Sequence, residues 1–154
     1  MNEDTPRMIA TALRFEEQKN MLRRARAPIH ILLVEDDPVT QALVNNLVKD
    51  QYCLTICDNV YSAVSEYMRI APDIVFLDIA LGDTQYNGFD VLHTIHMHDH
   101  AANVIMLSSN SDASSIARAT REGAYGFIAK PFEGTRIINY IKECERMKAC
   151  DYGY

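Results

Sequence analysis

Five residues constrain this chain more than any others: Ile74-Val75-Phe76-Leu77-Asp78. Four consecutive apolar side chains ending on a carboxylate suit a short strand buried on both faces. An ionised group has no place in the middle of such a strand, but its carboxyl end is different. In open α/β sheets the crevice beyond those ends is where ligands and chemistry sit. Asp78 therefore either caps the next element or points into a functional crevice.

A second run of the same kind, His30-Ile31-Leu32-Leu33-Val34, ends in Glu35-Asp36-Asp37. Pro38 then suits a first helical position, with Asp37 as N-cap. The apolar stripe Val39, Ala42, Leu43, Leu47, Val48 predicts a helix to about Asp50. Leu54 to Cys57 reads as a short strand, and Asp58 or Asn59 can cap a helix running to Pro72. After the strand ending at Asp78, a loop leads to Gly88 and a helix from Phe89 to about His98. Val104-Ile105-Met106-Leu107 is a fourth strand, closed by Ser108-Ser109-Asn110. Asp112 can cap a helix reaching Gly123, a fitting C-terminal glycine. Tyr125 to Ala129 is a fifth strand ending in Lys130-Pro131, and a helix from Glu133 to about Lys148 follows, with Ile137, Ile138, Tyr140 and Ile141 apolar.

Strand and helix thus alternate five times. Right-handed βαβ units with helices on both faces of one parallel sheet follow from that pattern. Five strands fit the flavodoxin-like order 2-1-3-4-5, an α/β doubly wound (βα)5 fold. That order aligns the ends of strands one, three, four and five along one crevice. Glu35, Asp36, Asp78, Ser108 and Lys130 stand at those ends.

Carboxylates gathered there repel one another. Two like charges 4 Å apart cost about 4 kcal/mol at an effective dielectric of 20. A cation removes that cost, and an all-oxygen, partly hydrated set suits Mg²⁺ or Mn²⁺ rather than zinc. One carboxylate can then attack phosphorus to form an acyl phosphate. The metal, a lysine and a hydroxyl would meet the phosphoryl oxygens. Taken singly, each residue has a plainer reading: the acidic pair as a helix cap, the serines as a turn, Lys-Pro as a solvated stem.

The four stretches Ile31–Pro38, Ile74–Asp78, Val104–Ser109 and Gly123–Phe132 together closely resemble the receiver domain of two-component response regulators (CheY-like). Asp36 to Asp78 is 42 residues, Asp78 to Ser108 is 30 and Ser108 to Lys130 is 22, spacings typical of receivers. The resemblance runs from residue 29 to about 148. It implies roles residue by residue. Asp78 would be the phosphoacceptor. Asp36 would ligate Mg²⁺ directly and Glu35 through water, with Asp78 and the backbone carbonyl of Ala80 completing the protein ligands. Ser108 would be the switch hydroxyl and Lys130 the partner of a phosphoryl oxygen. Phe127 matches the aromatic switch position, and Pro131 fits a cis peptide after the lysine. Phosphorylation would shift the domain between two packings of its fourth helix, fourth strand and fifth helix face. The phosphoryl donor would be a sensor histidine kinase or a phosphotransfer protein, and a downstream protein or output domain would read the change. Such a protein is a switch, not a turnover enzyme, beyond self-phosphorylation from the donor and autodephosphorylation.

The loop Leu81-Gly82-Asp83-Thr84-Gln85-Tyr86-Asn87-Gly88 departs from the family: it lacks the usual proline and is about two residues longer. Ser109 stands where alanine is common. A dehalogenase-type aspartyl-phosphate hydrolase would need a second aspartate at Ala80. A flavodoxin-like nucleotide site would need a glycine-rich loop where Glu35-Asp36-Asp37 stands. The alternative left open is an unphosphorylated receiver-shaped docking or dimerisation module.

Residues 1–27 are read as a separate helical arm, 28–150 as the receiver and 151–154 as a tail. Within the arm, Met8, Ile9, Ala12, Leu13 and Phe15 have rough helical spacing from residue 7 to 26, and Arg23, Arg24 and Arg26 crowd the far end. That arm packs on its own domain or on a second subunit, as a homodimer contact; an arginine contact with nucleic acid or membrane is the sharper alternative. Four further features bound the reading. Net charge −6 argues against a general nucleic-acid footprint for the receiver. No apolar run is long enough to span a bilayer. Cys53, Cys57, Cys144 and Cys150 show no zinc pattern and read as reduced thiols of a cytoplasmic protein. His93, His96, His98 and His100 with Asp99 form a candidate metal tract, or a solvated helix end. Tyr61, Tyr67 and Tyr140 are expected as partly buried packing. The chain ends at Tyr154, so it is expected to be either a stand-alone receiver or a piece of a longer regulator.

Overall fold

The structure is a computed structural model that describes residues 4–25, 28–82 and 85–152. Its elements run α1 (Asp4–Ala25), β1 (His30–Val34), α2 (Pro38–Val48), β2 (Cys53–Cys57), α3 (Val60–Ile70), β3 (Ile74–Asp78), α4 (Gly88–His98), β4 (Val104–Ser108), α5 (Ala113–Arg121), β5 (Gly126–Ala129) and α6 (Gly134–Tyr152). All strand pairs are parallel, in the order β2-β1-β3-β4-β5. This is the expected (βα)5 order with one additional helix before it.

The strands alternate side chains between two cores. Leu32 and Val34, Val75 and Leu77, Val104 and Met106 face the layer of α3, α4 and α5. Ile31 and Leu33, Ile74 and Phe76, Ile105 and Leu107 face Val44 and Val48 of α2 and Ile137 and Ile141 of α6. β1, β3 and β4 are therefore covered on both faces, which is why they read as unbroken apolar runs. β2 lies at the edge and leaves Ile56 exposed.

The caps are those the composition suggested. Asp37 accepts from the amides of Val39 and Thr40, Asn59 from Ser62 and Asp112 from Ser115. Asn87 and Asp90 add a reciprocal capping box at the start of α4. The helix therefore begins at Gly88, one residue earlier than its apolar pattern shows.

The arm differs from its sequence reading in which face it buries. Met8, Ile9 and Leu13 are exposed, while Phe15 and Lys19 are buried. Phe15 packs on Tyr67 with ring centroids 6.5 Å apart. Lys19 Nζ donates to Asp99 Oδ1 at 3.0 Å. Arg23 donates to the carbonyls of Ala71 and Pro72 and to Asp99, closing the C-terminal end of α3. Charge and hydrogen bonding, not apolar periodicity, set the docked face. Arg23 is thus turned into the fold, away from any nucleic acid or membrane; Arg26 lies outside the described residues. The tyrosines also divide: Tyr67 is fully buried, Tyr140 is half-buried, and Tyr61 is exposed, contrary to expectation.

Candidate functional site

Four strand ends build the crevice. Glu35 follows β1, Asp78 closes β3, Ser108 closes β4 and Lys130 follows β5. Glu35 and Asp78 are buried and Asp36 is exposed, yet oxygens of the three lie within 4.8 Å of one another. Among the described residues this is the one cluster of three or more side chains able to hold a metal ion. Its donors are all carboxylate oxygens and its outer member faces solvent. That chemistry fits Mg²⁺ or Mn²⁺, which prefer hard oxygen ligands and keep part of their hydration.

Lys130 reaches into the same place. Its Nζ donates to Glu35 Oε2 at 2.5 Å and lies 3.4 Å from Asp78 Oδ2. Glu35 Oε1 accepts from the amide of Asp37 at 3.0 Å, and Gln41 Nε2 donates to the Glu35 carbonyl at 2.6 Å. Glu35 is therefore held from both sides. Asp78 Oδ1 accepts a long bond from the amide of Ala80, at 3.3 Å. Burial, reinforced by the neighbouring Glu35, pushes the Asp78 carboxyl up to about 7, against the pull of Lys130. For Lys130 burial works the other way, but Glu35 and Asp78 outweigh it and hold the ammonium above its ordinary value.

Ser108 is buried, and its Oγ accepts from the amide of Asn110 at 3.0 Å. The Lys130 amide donates to the Ser108 carbonyl, tying the two strand ends together. The Lys130–Pro131 peptide is cis, as the resemblance implied. Phe127 is half-buried against the α3–α5 core, beside Met106 on the neighbouring strand. The structure thus brings Glu35, Asp36, Asp78 and Lys130 together. It places Ser108 at the adjoining strand end and Phe127 further down the same edge.

Two glycines shape the site, and neither was read that way from sequence. Gly82 has φ +70, and a Cβ there would stand 2.9 Å from Asp36 Oδ2. Gly88 passes so close to β3 that a Cβ would meet the Asp78 carbonyl oxygen at 2.3 Å. The long loop is therefore pinned at both ends against the acidic cluster, with the Gly88 amide bonded to the Ile79 carbonyl. Residues 83 and 84 lie outside the described residues. Glycine at the two ends of a strand-to-helix loop is the signal that was available.

The histidine tract does not converge. Asp99 turns inward to Lys19 and Tyr67 Oη, His98 Nδ1 bonds the Thr94 carbonyl, and His96 packs against Gly123.

Comparison with known proteins gives one answer. A family model described as response regulator receiver domain matches residues 31–142. The chemotaxis protein CheY of Listeria monocytogenes is 30% identical over 120 residues, covering 77% of this chain and 99% of the relative. The nitrogen assimilation regulatory protein NtrX of Azorhizobium caulinodans is 30% identical over 109 residues, 70% of this chain but 24% of that longer protein. The crystal structure of the receiver domain of NtrX from Brucella abortus superposes with a TM-score of 0.69 at 30% identity, covering 74% of this chain and 96% of that one. Against a structure of NtrX from the same organism in complex with ADP the TM-score is 0.69 at 28% identity, and the chain spans 27% of its length.

Proposed function

This chain belongs to the response regulator receiver domain family, and from that premise we propose that it is a phosphorylatable switch with Asp78 as phosphoacceptor. The observation that carries the reading is the joint position of Asp78 and Lys130 at the mouth of an all-carboxylate cluster. In the proposed reaction an Asp78 carboxylate oxygen attacks the phosphorus of a phosphoryl donor. A P–O bond to Asp78 forms as the bond to the donor's leaving group breaks, and the leaving group takes the electron pair. The donor is a sensor histidine kinase or a phosphotransfer protein, with a phosphohistidine as the reacting group.

Asp36, Asp78, the Ala80 carbonyl and, through water, Glu35 would hold Mg²⁺, which supplies charge neutralisation at the phosphoryl oxygens. Lys130 stands ready to exchange Glu35 for one of those oxygens. Ser108 would give up its turn contact with the Asn110 amide to donate its hydroxyl to another, and Phe127 would turn inward in the space Ser108 leaves. Phosphorylation replaces the single charge of the Asp78 carboxylate by the nearly two of an acyl phosphate and brings three acceptor oxygens. These favour one of two packings on the α5, β4 and α6 side, which a downstream protein or output domain reads. The cytoplasm is the proposed location: the four cysteines are unpaired. No helix among the described residues is long and apolar enough to cross a membrane.

The test is intact mass after incubation with acetyl phosphate and Mg²⁺. A gain of one phosphate is expected in the wild type and none in Asp78→Ala. No adduct in the wild type, together with no response to beryllium fluoride, would remove the switch and leave the receiver-shaped docking reading.

Metal binding has its own check. Gly82→Ala places a methyl against Asp36 at a left-handed φ, a conformation costing about 1–2 kcal/mol for a non-glycine residue. The variant is expected to melt earlier than the wild type and to bind Mg²⁺ more weakly by calorimetric titration. Equal Mg²⁺ affinity would separate Asp36 from the metal.

A further inference from the structure

We propose that two copies of this chain associate by reciprocal exchange, the N-terminal half of α1 from each seating in the α3–α4 groove of the other. Two observations meet in this assignment. The first is an unpartnered helix. Every residue from Arg7 to Arg14 is exposed, with Met8 at 71% and Leu13 at 60%. At the α-helical rise this stretch extends about 12 Å beyond Phe15. Ala12 and Met8 continue, about one and two turns further out, the stripe that Phe15, Lys19 and Leu22 carry onto the domain. Ile9 and Leu13 flank it.

The second is a groove of about 580 Å³ lined by Val60, Tyr61, Val64, Tyr86, His93 and Thr94 among others. Tyr61 is 67% exposed and meets Tyr86 edge to face, centroids 6.3 Å apart. None of the described residues lining it belongs to α1. Yet it prolongs the surface on which α1 already sits: Val64 and Val60 lie three and seven residues before Tyr67 on α3, the residue that holds Phe15. An apolar helix face with anchors at i, i+1, i+4 and i+5 entering an aromatic groove is a recurrent recognition mode.

The chemistry matches as well as the shape. Arg7 and Arg14 bracket the apolar stretch, and the exposed carboxylate of Asp90 lines the groove. A second copy supplies helix and groove together, so a two-fold exchange closes on itself and forms the same contact twice. This surface lies on α1, α3 and α4, leaving the α5 and α6 side free. The association is that of the unphosphorylated chain, so it stands or falls apart from the phosphoryl chemistry.

The test is light scattering on the eluting full chain over a concentration series, with Leu13→Asp and Tyr61→Asp. Both positions are exposed, and unchanged circular dichroism will confirm that both variants fold. A wild-type dimer is expected, each substitution weakening it at least about tenfold, the loss typical of a central interface residue. An equimolar mixture of the two variants regains one intact contact and associates more tightly than either alone. Three outcomes overturn the proposal: a monomer at every concentration, a dimer indifferent to both substitutions, or a dimer lost with Leu13→Asp but indifferent to Tyr61→Asp. The last would mean helix pairing outside the groove.

Discussion

Asp78→Asn is expected to abolish phosphoryl acceptance and, at pH 8 without Mg²⁺, to raise the melting temperature. The two effects have one origin. Asp78 is buried beside Glu35, and its carboxyl is pushed up to about 7. A group whose folded value lies above its unfolded one stabilises most below the unfolded value, near 4. That contribution is lost as pH rises through about 7. Wild-type stability should therefore fall from pH 4 towards 8 on account of this group, and the amide variant should lack that decline. Three pH units correspond to about 4 kcal/mol at most. Glu35 and Lys130 act on this carboxyl in opposite directions, so a gain of about 1–2 kcal/mol at pH 8 is the expectation. Denaturation of both proteins across pH, read by circular dichroism, checks it. Saturating Mg²⁺ should reverse the order, because a ligand that binds only the folded wild type adds about 2.7 kcal/mol at a hundred times its dissociation constant. An Asp78→Asn variant no more stable than the wild type at pH 8 would show that Lys130 already compensates the buried charge.

The strand runs made the fold legible. Ile31–Val34, Ile74–Leu77 and Val104–Leu107 are apolar at every position because helices cover both faces of the sheet there. The acidic and basic residues at the strand ends were legible for the complementary reason: each breaks off an apolar run, and the sheet order brings the ends together. What stayed hidden depends on contacts distant in sequence. Gly82 matters through Asp36, 46 positions away, and no local pattern states that. Lys19 looks like a solvated helix residue until the fold brings Asp99 to it across 80 positions. Asp99 in turn looked like part of a histidine tract, because its sequence neighbours are His98 and His100. Tyr61 and Tyr67 sit on one helix, yet only Tyr67 meets α1.

Asp99→Ala is expected to destabilise the chain by about 3–5 kcal/mol at pH 7, the usual cost of leaving buried charge without its partner. Asp99 is 1% exposed and receives Lys19, Arg23, the Tyr67 hydroxyl at 2.6 Å and the Ala101 amide. Lys19 is only 4% exposed, so losing Asp99 removes its buried ion-pair partner and leaves the partly exposed Glu16 beside its ammonium. Burial opposes ionisation of Asp99, but Tyr67 and Lys19 overcome it and hold the carboxyl below its ordinary value. A lowered folded value stabilises above the unfolded one, near 4, and the contribution disappears as pH falls through the folded value. The gap between wild type and Asp99→Ala should accordingly be largest at neutral pH and narrow below about pH 4. Urea denaturation at pH 7 and pH 3.5 measures both. Arg69→Ala is the control: its pair with Glu66 is exposed, and such pairs are worth about 0–1 kcal/mol. A loss at Asp99 no larger than this control would make α1 a loosely attached arm. The expected loss would instead make α1 part of the folding unit, with its outer half held at a fixed angle to the α3–α4 groove.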